Sequence, residues 1–214
     1  MKPHEQEHDE DDEQQGMPFN PYAEFELDTY KALLKNRIIL YNDVINKSVI
    51  ERVVLPLANL SVNSTKPIKL LINSPGGSVE DGQMVVDAIL TCKAPVITVA
   101  FGKAMSAAFD IFLAGDKRVV YPNTILMIHS GSSRLEAQTL PQINVEADLH
   151  HRYFERWSTW YASRTKIEQK EWHKMLSTGL NYYYFPEEAL KVGIVHEVIK
   201  PVVKNVLPKQ KFKF

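Results

Sequence analysis

An α/β fold with a mainly parallel sheet is predicted by three observations. Three short runs, Arg37 to Tyr41 (RIILY), Ile68 to Asn73 (IKLLIN) and Val96 to Ala100 (VITVA), are continuously apolar, as strands covered on both faces are. Stretches with apolar residues at helical spacing lie between them. Two of the runs lead into glycine-containing turns that open helices, the order of β-α-β units.

The elements follow in turn. Ser48 to Leu60 sets Val49, Ile50, Val53, Val54 and Leu57 on one helical face, with Pro56 expected to kink or end it. Ser78, with Asp81 three residues on, starts a helix that turns Val85, Ala88 and Ile89 inward. Arg118 to Tyr121 and Thr124 to Ile128 read as short strands around Pro122-Asn123. A long helix over Gln142 to Ser163 repeats Leu149, Tyr153, Trp157 and Trp160 or Tyr161, an aromatic load that suits either a core or a face meeting another subunit. Thr165 and Glu168 form a capping-box pattern for a helix ending near Leu176. Pro186 and Gly193 bracket a short helix before a strand from Ile194 to Ile199.

Composition narrows the function classes. The chain has 214 residues, 44% hydrophobic and 24% charged, with formal net charge −1: one domain with a sizeable core and no global basic field to recruit nucleic acid or a membrane. One cysteine, Cys92, excludes an internal disulfide framework and suits a reducing compartment. No apolar run reaches the roughly 18 residues of a membrane span, and no signal or transit pattern opens the chain. The expectation is a cytoplasmic protein without membrane or nucleic-acid partners.

Charge is unevenly placed. Seven acidic residues fall within Met1 to Gly16 against the single base Lys2, leaving 24 Lys and Arg against 19 Asp and Glu in the rest. Residues 1–18 are therefore expected as a disordered acidic leader, 19–200 as the folded domain and 201–214 as a basic tail. His4 and His8 have a chelating spacing, but without a fold to hold them a solvated tail is the plainer reading.

Three segments carry possible chemistry. Asn73-Ser74-Pro75-Gly76-Gly77-Ser78 is a tight turn between a buried strand and a helix, able to aim backbone N–H groups at negative charge, although such turns also use glycine for steric reasons. Gly102 to Ala108 (GKAMSAA) flanks Ser106 with small residues at another strand-to-helix junction. That suits an activated nucleophile, or simply a helix N-cap in a small-residue contact. His129 leaves the apolar strand Thr124 to Ile128, well placed as a base. No metal-ligand set, phosphate loop or G-x-S-x-G motif accompanies them, and Ser163 with Lys166 has only the spacing of a Ser-Lys pair.

Taken together, Ile72 to Ser78 (INSPGGS), Gly102 to Ala108, Ala114 to His129 (AGDKRVVYPNTILMIH) and Glu187 to Ile199 (EEALKVGIVHEVI) resemble the ClpP-type serine peptidases. The likeness covers roughly Phe25 to Ile199. It implies a ClpP/crotonase-like spiral of β-α-β units, with the long helix as a protruding handle. It implies a homo-oligomer of heptameric rings stacked as a tetradecamer around a chamber. It also implies a separate AAA+ unfoldase, peptides or unfolded proteins as substrates, and no cofactor. Carried over, Ser106 is the nucleophile, His129 the base, and the N–H groups of Gly77 and Ala107 the oxyanion hole.

The pattern departs from the family at three positions. Asn181 stands where an aspartate is usual, and no Asp follows Asp148. An asparagine can orient the histidine but not offset its charge, so a slow or assembly-dependent site is expected. Leu180 stands where an arginine often joins the rings. Asp110 replaces an apolar residue four positions after Ser106, as a salt-bridged structural charge or as a displaced third catalytic group, the former being preferred. A weak or inactive ring subunit in a mixed Clp assembly is the alternative function. An acyl-coenzyme-A enzyme of the crotonase fold ranks lower, since a Ser-His pair serves nothing there.

Overall fold

The computed structural model describes residues 21–131 and 139–201. The acidic leader, with His4 and His8, and the basic tail beyond residue 201 lie outside the described residues. Helix α1 (Pro21–Lys35) leads into strand β1 (Ile38–Tyr41). A π-helical turn (Ile50–Val54) runs into α2 (Leu55–Asn63), followed by β2 (Ile68–Ser74), α3 (Val79–Leu90), β3 (Val96–Met105) and α4 (Ala107–Ala114). The second half continues with β4 (Lys117–Val120), β5 (Ile125–Ile128), α5 (Leu140–Arg164), α6 (Gln169–Ser177), β6 (Tyr182–Tyr184), α7 (Pro186–Lys191) and β7 (Glu197–Val198).

The sheet runs β1-β2-β3-β4-β7, all parallel, with β5 joined in parallel to β3 and β6 antiparallel to β5. The predicted α/β class with a mainly parallel sheet holds. Burial explains the apolar runs: Ile39, Ile68, Leu70, Ile72, Val96 and Ala100 are sealed between helices on the two faces.

Four expectations change in detail. Pro56 neither kinks nor ends its helix. It falls in the first turn of α2, where a missing N–H costs nothing, and the wider π turn before it absorbs the change of path. The strand expected to end at Ala100 continues to Met105. At Gly102 (φ +73°) it slips register against β2, leaving β4 behind and pairing with β5 instead. Thr165 and Glu168 do not form a capping box. The Thr165 hydroxyl donates to Tyr161 O at the end of α5 and accepts from Trp172 Nε1 at 3.0 Å. The last strand shrinks to Glu197–Val198 because Ile194 and Val195 are taken into the core ahead of it.

Helix α4 is the centre of the molecule. Its sequence AAFDIFLA is apolar on every side except Asp110, and all eight residues are buried, the arrangement expected of a helix enclosed by others. Phe109 and Phe112 are fully buried, each contributing about 1.5–3 kcal/mol of apolar transfer energy. Phe109, Tyr161 and Trp172 stack in one aromatic cluster, with Tyr161 and Trp172 centroids 5.0 Å apart. The long helix divides by depth. Tyr161 is fully buried and Trp157 and Trp160 pack partly against the core, whereas Leu140, Val145, Leu149 and Tyr153 are exposed. Both readings of its aromatic load therefore apply, at different turns.

Candidate active site

The site grows from the end of β3. Ser106 has φ 55° and ψ −131°, a backbone that non-glycine residues rarely adopt. The strain is held by its surroundings: Ser106 N donates to Met127 O at 2.9 Å, and Phe109 N closes onto Ser106 O at 2.8 Å to begin α4. Ser106 thus occupies the N-cap position of a buried helix, yet its side chain makes no capping bond. Its Oγ lies instead 2.7 Å from His129 Nε2. The β3–β5 pairing arranges this, because Met105 is in register with Met127 and His129 follows β5 directly. Burial holds the His129 imidazole below its ordinary pKa, so the neutral ring, the form able to accept a proton, prevails at neutral pH.

The glycine turn forms the opposite wall. Ser74 Oγ accepts from Gly76 N at 3.2 Å, Ile45 N donates to Gly76 O, and Ser78 N donates to Ile45 O. A Cβ at Gly76 would sit 2.6 Å from Met105 O and from the Ser106 Cβ, so only glycine lets this turn lie against the serine. At Gly77 (φ +151°) a Cβ would collide with the backbone of Ile45. The N–H groups of Gly77 and Ala107 meet no acceptor among the described residues. The fold thus brings Ser106, His129, Gly77 and Ala107 to one place.

Asn181 arrives from β6. Ile128 faces Tyr182 in the antiparallel register, and one step further brings Asn181 opposite His129. Asn181 is exposed, and its Nδ2 donates to Tyr183 Oη at 3.5 Å. Among the described residues no hydrogen bond joins it to His129. Leu180 is 61% exposed.

Asp110 is a structural group, but not a salt-bridged one. It is buried between α4 and α5, and Tyr161 Oη donates to its Oδ1 at 2.6 Å. No cation pairs with it among the described residues. Burial, partly offset by the tyrosine bond, pushes its carboxyl up to about 7. Ser163 donates to Trp160 O at 2.6 Å and makes no bond to Lys166. No group of three or more His, Cys, Asp and Glu side chains able to hold a metal occurs among the described residues, and no described helix is long and apolar enough to cross a membrane.

Sequence reading missed two side chains near these groups. Tyr183, partner of Asn181, had as its only signal the alternation of β6, which puts residues 181 and 183 on one face. His196, read as a surface residue, accepts from Arg118 N at 3.1 Å through Nδ1 and lies 2.8 Å from Arg118 Nη2 through Nε2.

A serine at a strained strand-to-helix turn, hydrogen-bonded by a neutral imidazole and faced by free backbone N–H groups, is the constellation of a serine-type hydrolase. The Clp protease family model matches residues 22–202. The chain is 34% identical over 181 residues to the ATP-dependent Clp protease proteolytic subunit of Deinococcus radiodurans, covering 83% of this chain and 87% of that protein. It also matches the structure of an Asn-to-Asp mutant of ClpP1 from Listeria monocytogenes with a TM-score of 0.71. That match has 32% identity and covers 81% of this chain and 97% of the other. The chain belongs to the Clp protease family, the ClpP-type serine endopeptidases, and its α/β fold is theirs.

Proposed function

We propose that the folded domain, residues 19–200, hydrolyses peptides and unfolded polypeptides with Ser106 as nucleophile and His129 as general base. The 2.7 Å contact between Ser106 Oγ and His129 Nε2 carries this reading. As Oγ attacks the scissile carbonyl carbon, Nε2 takes its proton. The carbonyl oxygen becomes an oxyanion and accepts from Gly77 N–H and Ala107 N–H, each such donor contributing about 3–4 kcal/mol. The imidazolium then protonates the departing amine. A water deprotonated by the same nitrogen releases the acyl group from Ser106.

Asn181 takes the usual aspartate's place, and its register position opposite His129 supports this. Its amide oxygen can accept Nδ1–H and hold the useful tautomer, but it supplies no charge to stabilise the imidazolium. Asp-to-Asn in a serine triad costs about 10⁴ in turnover, so catalysis here is slow. Asn181→Asp is expected to raise kcat at least about tenfold.

The same reading includes heptameric rings stacked as a tetradecamer in the cytoplasm, fed by a separate AAA+ unfoldase. Two observations support it: the printed name of the Deinococcus relative, and the exposed apolar residues Leu140, Val145, Leu149 and Tyr153 along α5. The second reading, a weak or inactive subunit of a mixed Clp assembly, is favoured by the missing Asn181–His129 bond and by Leu180. A fluorophosphonate probe read by intact mass separates the two. An adduct that disappears in Ser106→Ala supports the peptidase, whereas no adduct on the folded, assembled protein supports the silent subunit.

A further inference from the structure

An asparagine in the third position differs from aspartate in more than charge. A carboxylate presents an oxygen whichever way it turns, whereas an amide presents an oxygen in one orientation and an NH₂ in the other. With the oxygen toward His129 Nδ1, the ring keeps its proton on Nδ1, and Nε2 is free to take the Ser106 proton. With the NH₂ toward it, Nδ1 becomes the acceptor, Nε2 carries the proton, and the base is lost. A site built on Asn181 therefore needs a neighbour that chooses the amide's orientation.

We propose that Tyr183 is that neighbour, a positioning residue whose hydroxyl accepts Asn181 Nδ2–H and leaves Oδ1 as the end available to His129 Nδ1. The inference rests on the reading that Asn181 orients His129. Strand alternation places Asn181 and Tyr183 on one face, and the β5–β6 register sets them opposite His129 and Met127 on that face. Tyr183 Oη lies 3.5 Å from Asn181 Nδ2 and has no other partner among the described residues. Catalytic bonds of this length in a free enzyme commonly tighten when substrate is bound. The ring is 54% exposed, so the core does not require the hydroxyl; a phenylalanine would pack as well. The hydroxyl matters only to an amide, because an aspartate has no orientation to choose.

The test uses the full-length protein and two variants, Asn181→Asp and Asn181→Ala, each with and without Tyr183→Phe. The readouts are the rate of Ser106 phosphonylation and steady-state cleavage of a short peptide, with assembly checked by gel filtration. Tyr183→Phe in the parent is expected to lower kcat and the labelling rate about two- to tenfold with KM unchanged. In the Asn181→Asp enzyme it is expected to change neither. Equal losses in both backgrounds would make the tyrosine merely structural and overturn the proposal, as would equal rates, nil included, for the parent and Tyr183→Phe. If Asn181→Ala matches the parent, Asn181 does not orient His129 and both readings fall. A loss in Asn181→Ala without one in Tyr183→Phe removes only the tyrosine step.

Discussion

Replacing Asp110 by asparagine should make the protein more stable at neutral pH and leave it nearly unchanged in acid. The carboxyl is fully enclosed between α4 and α5, and burial raises it from the ordinary 3.8 to about 7. A group raised in the folded state binds its proton more tightly there than in the unfolded chain. Its contribution is therefore fully present below about pH 4, declines as pH rises toward 7, and is absent above that. About three units at 1.36 kcal/mol each put the loss near 4 kcal/mol. Asparagine is nearly isosteric, its amide oxygen still accepts from Tyr161 Oη, and it has no charge to bury. The expected difference between Asp110→Asn and parent is thus close to zero at pH 4.5 and grows to several kcal/mol at pH 8. Urea unfolding midpoints at fixed protein concentration across that range measure it, and taking the difference cancels the other titrating groups. A difference that stays flat with pH, or an asparagine variant less stable at pH 8, would refute the placement of this carboxyl in a dry contact.

Other consequences follow from the same geometry. Gly77→Ala drives a Cβ into the backbone of Ile45 and tilts the oxyanion donor. Its kcat is expected to fall about 10²–10³-fold with near-parental KM, and unchanged kcat would remove Gly77 from the oxyanion site. Because burial depresses the His129 pKa, the acid limb of the kcat/KM profile should titrate below pH 6.5; a limb above that value contradicts a desolvated base. Arg118 is buried and donates to the carbonyls of Ile194, Gly115, Arg164 and Gly193. Arg118→Met strips those acceptors of their partner and should cost about 3–5 kcal/mol in urea unfolding; less than 1 kcal/mol would mean that water replaces the guanidinium.

Much of the fold was legible because the sheet is buried on both faces. Runs such as IKLLIN have one stable use, and Ser78 marked the start of α3 through its bond from Asp81 N at 3.2 Å. Helix α1 was not foreseen: Tyr30, Leu33 and Leu34 are only half-buried, so its apolar stripe is thin. The extension of β3 was missed because Gly102, which reads as a stop, is a bulge that moves the strand from one partner to another. Thr165 and Glu168 matched a local capping pattern, but the contact with Trp172 outweighed it.

The site divides along a similar line. Residue types, their order and the spacing of the two glycine-bearing turns are properties of the chain, and they were enough to single out Ser106, His129, Gly77, Ala107 and Asn181. Sequence also determined that no aspartate follows Asp148, which bounds the electrostatic help His129 can receive from that end of the chain. Whether Ser106 spends its hydroxyl on capping α4 or on His129 was open in the sequence. Both uses suit a serine at a strand-to-helix junction, and the difference lies in where β5 runs. Only the tertiary structure decided it, because Met127 O holds Ser106 N and thereby turns Oγ toward the imidazole. Asp110 was decided in the same way: its role follows from Tyr161, 51 residues away, and contacts between distant residues come from packing rather than from local pattern.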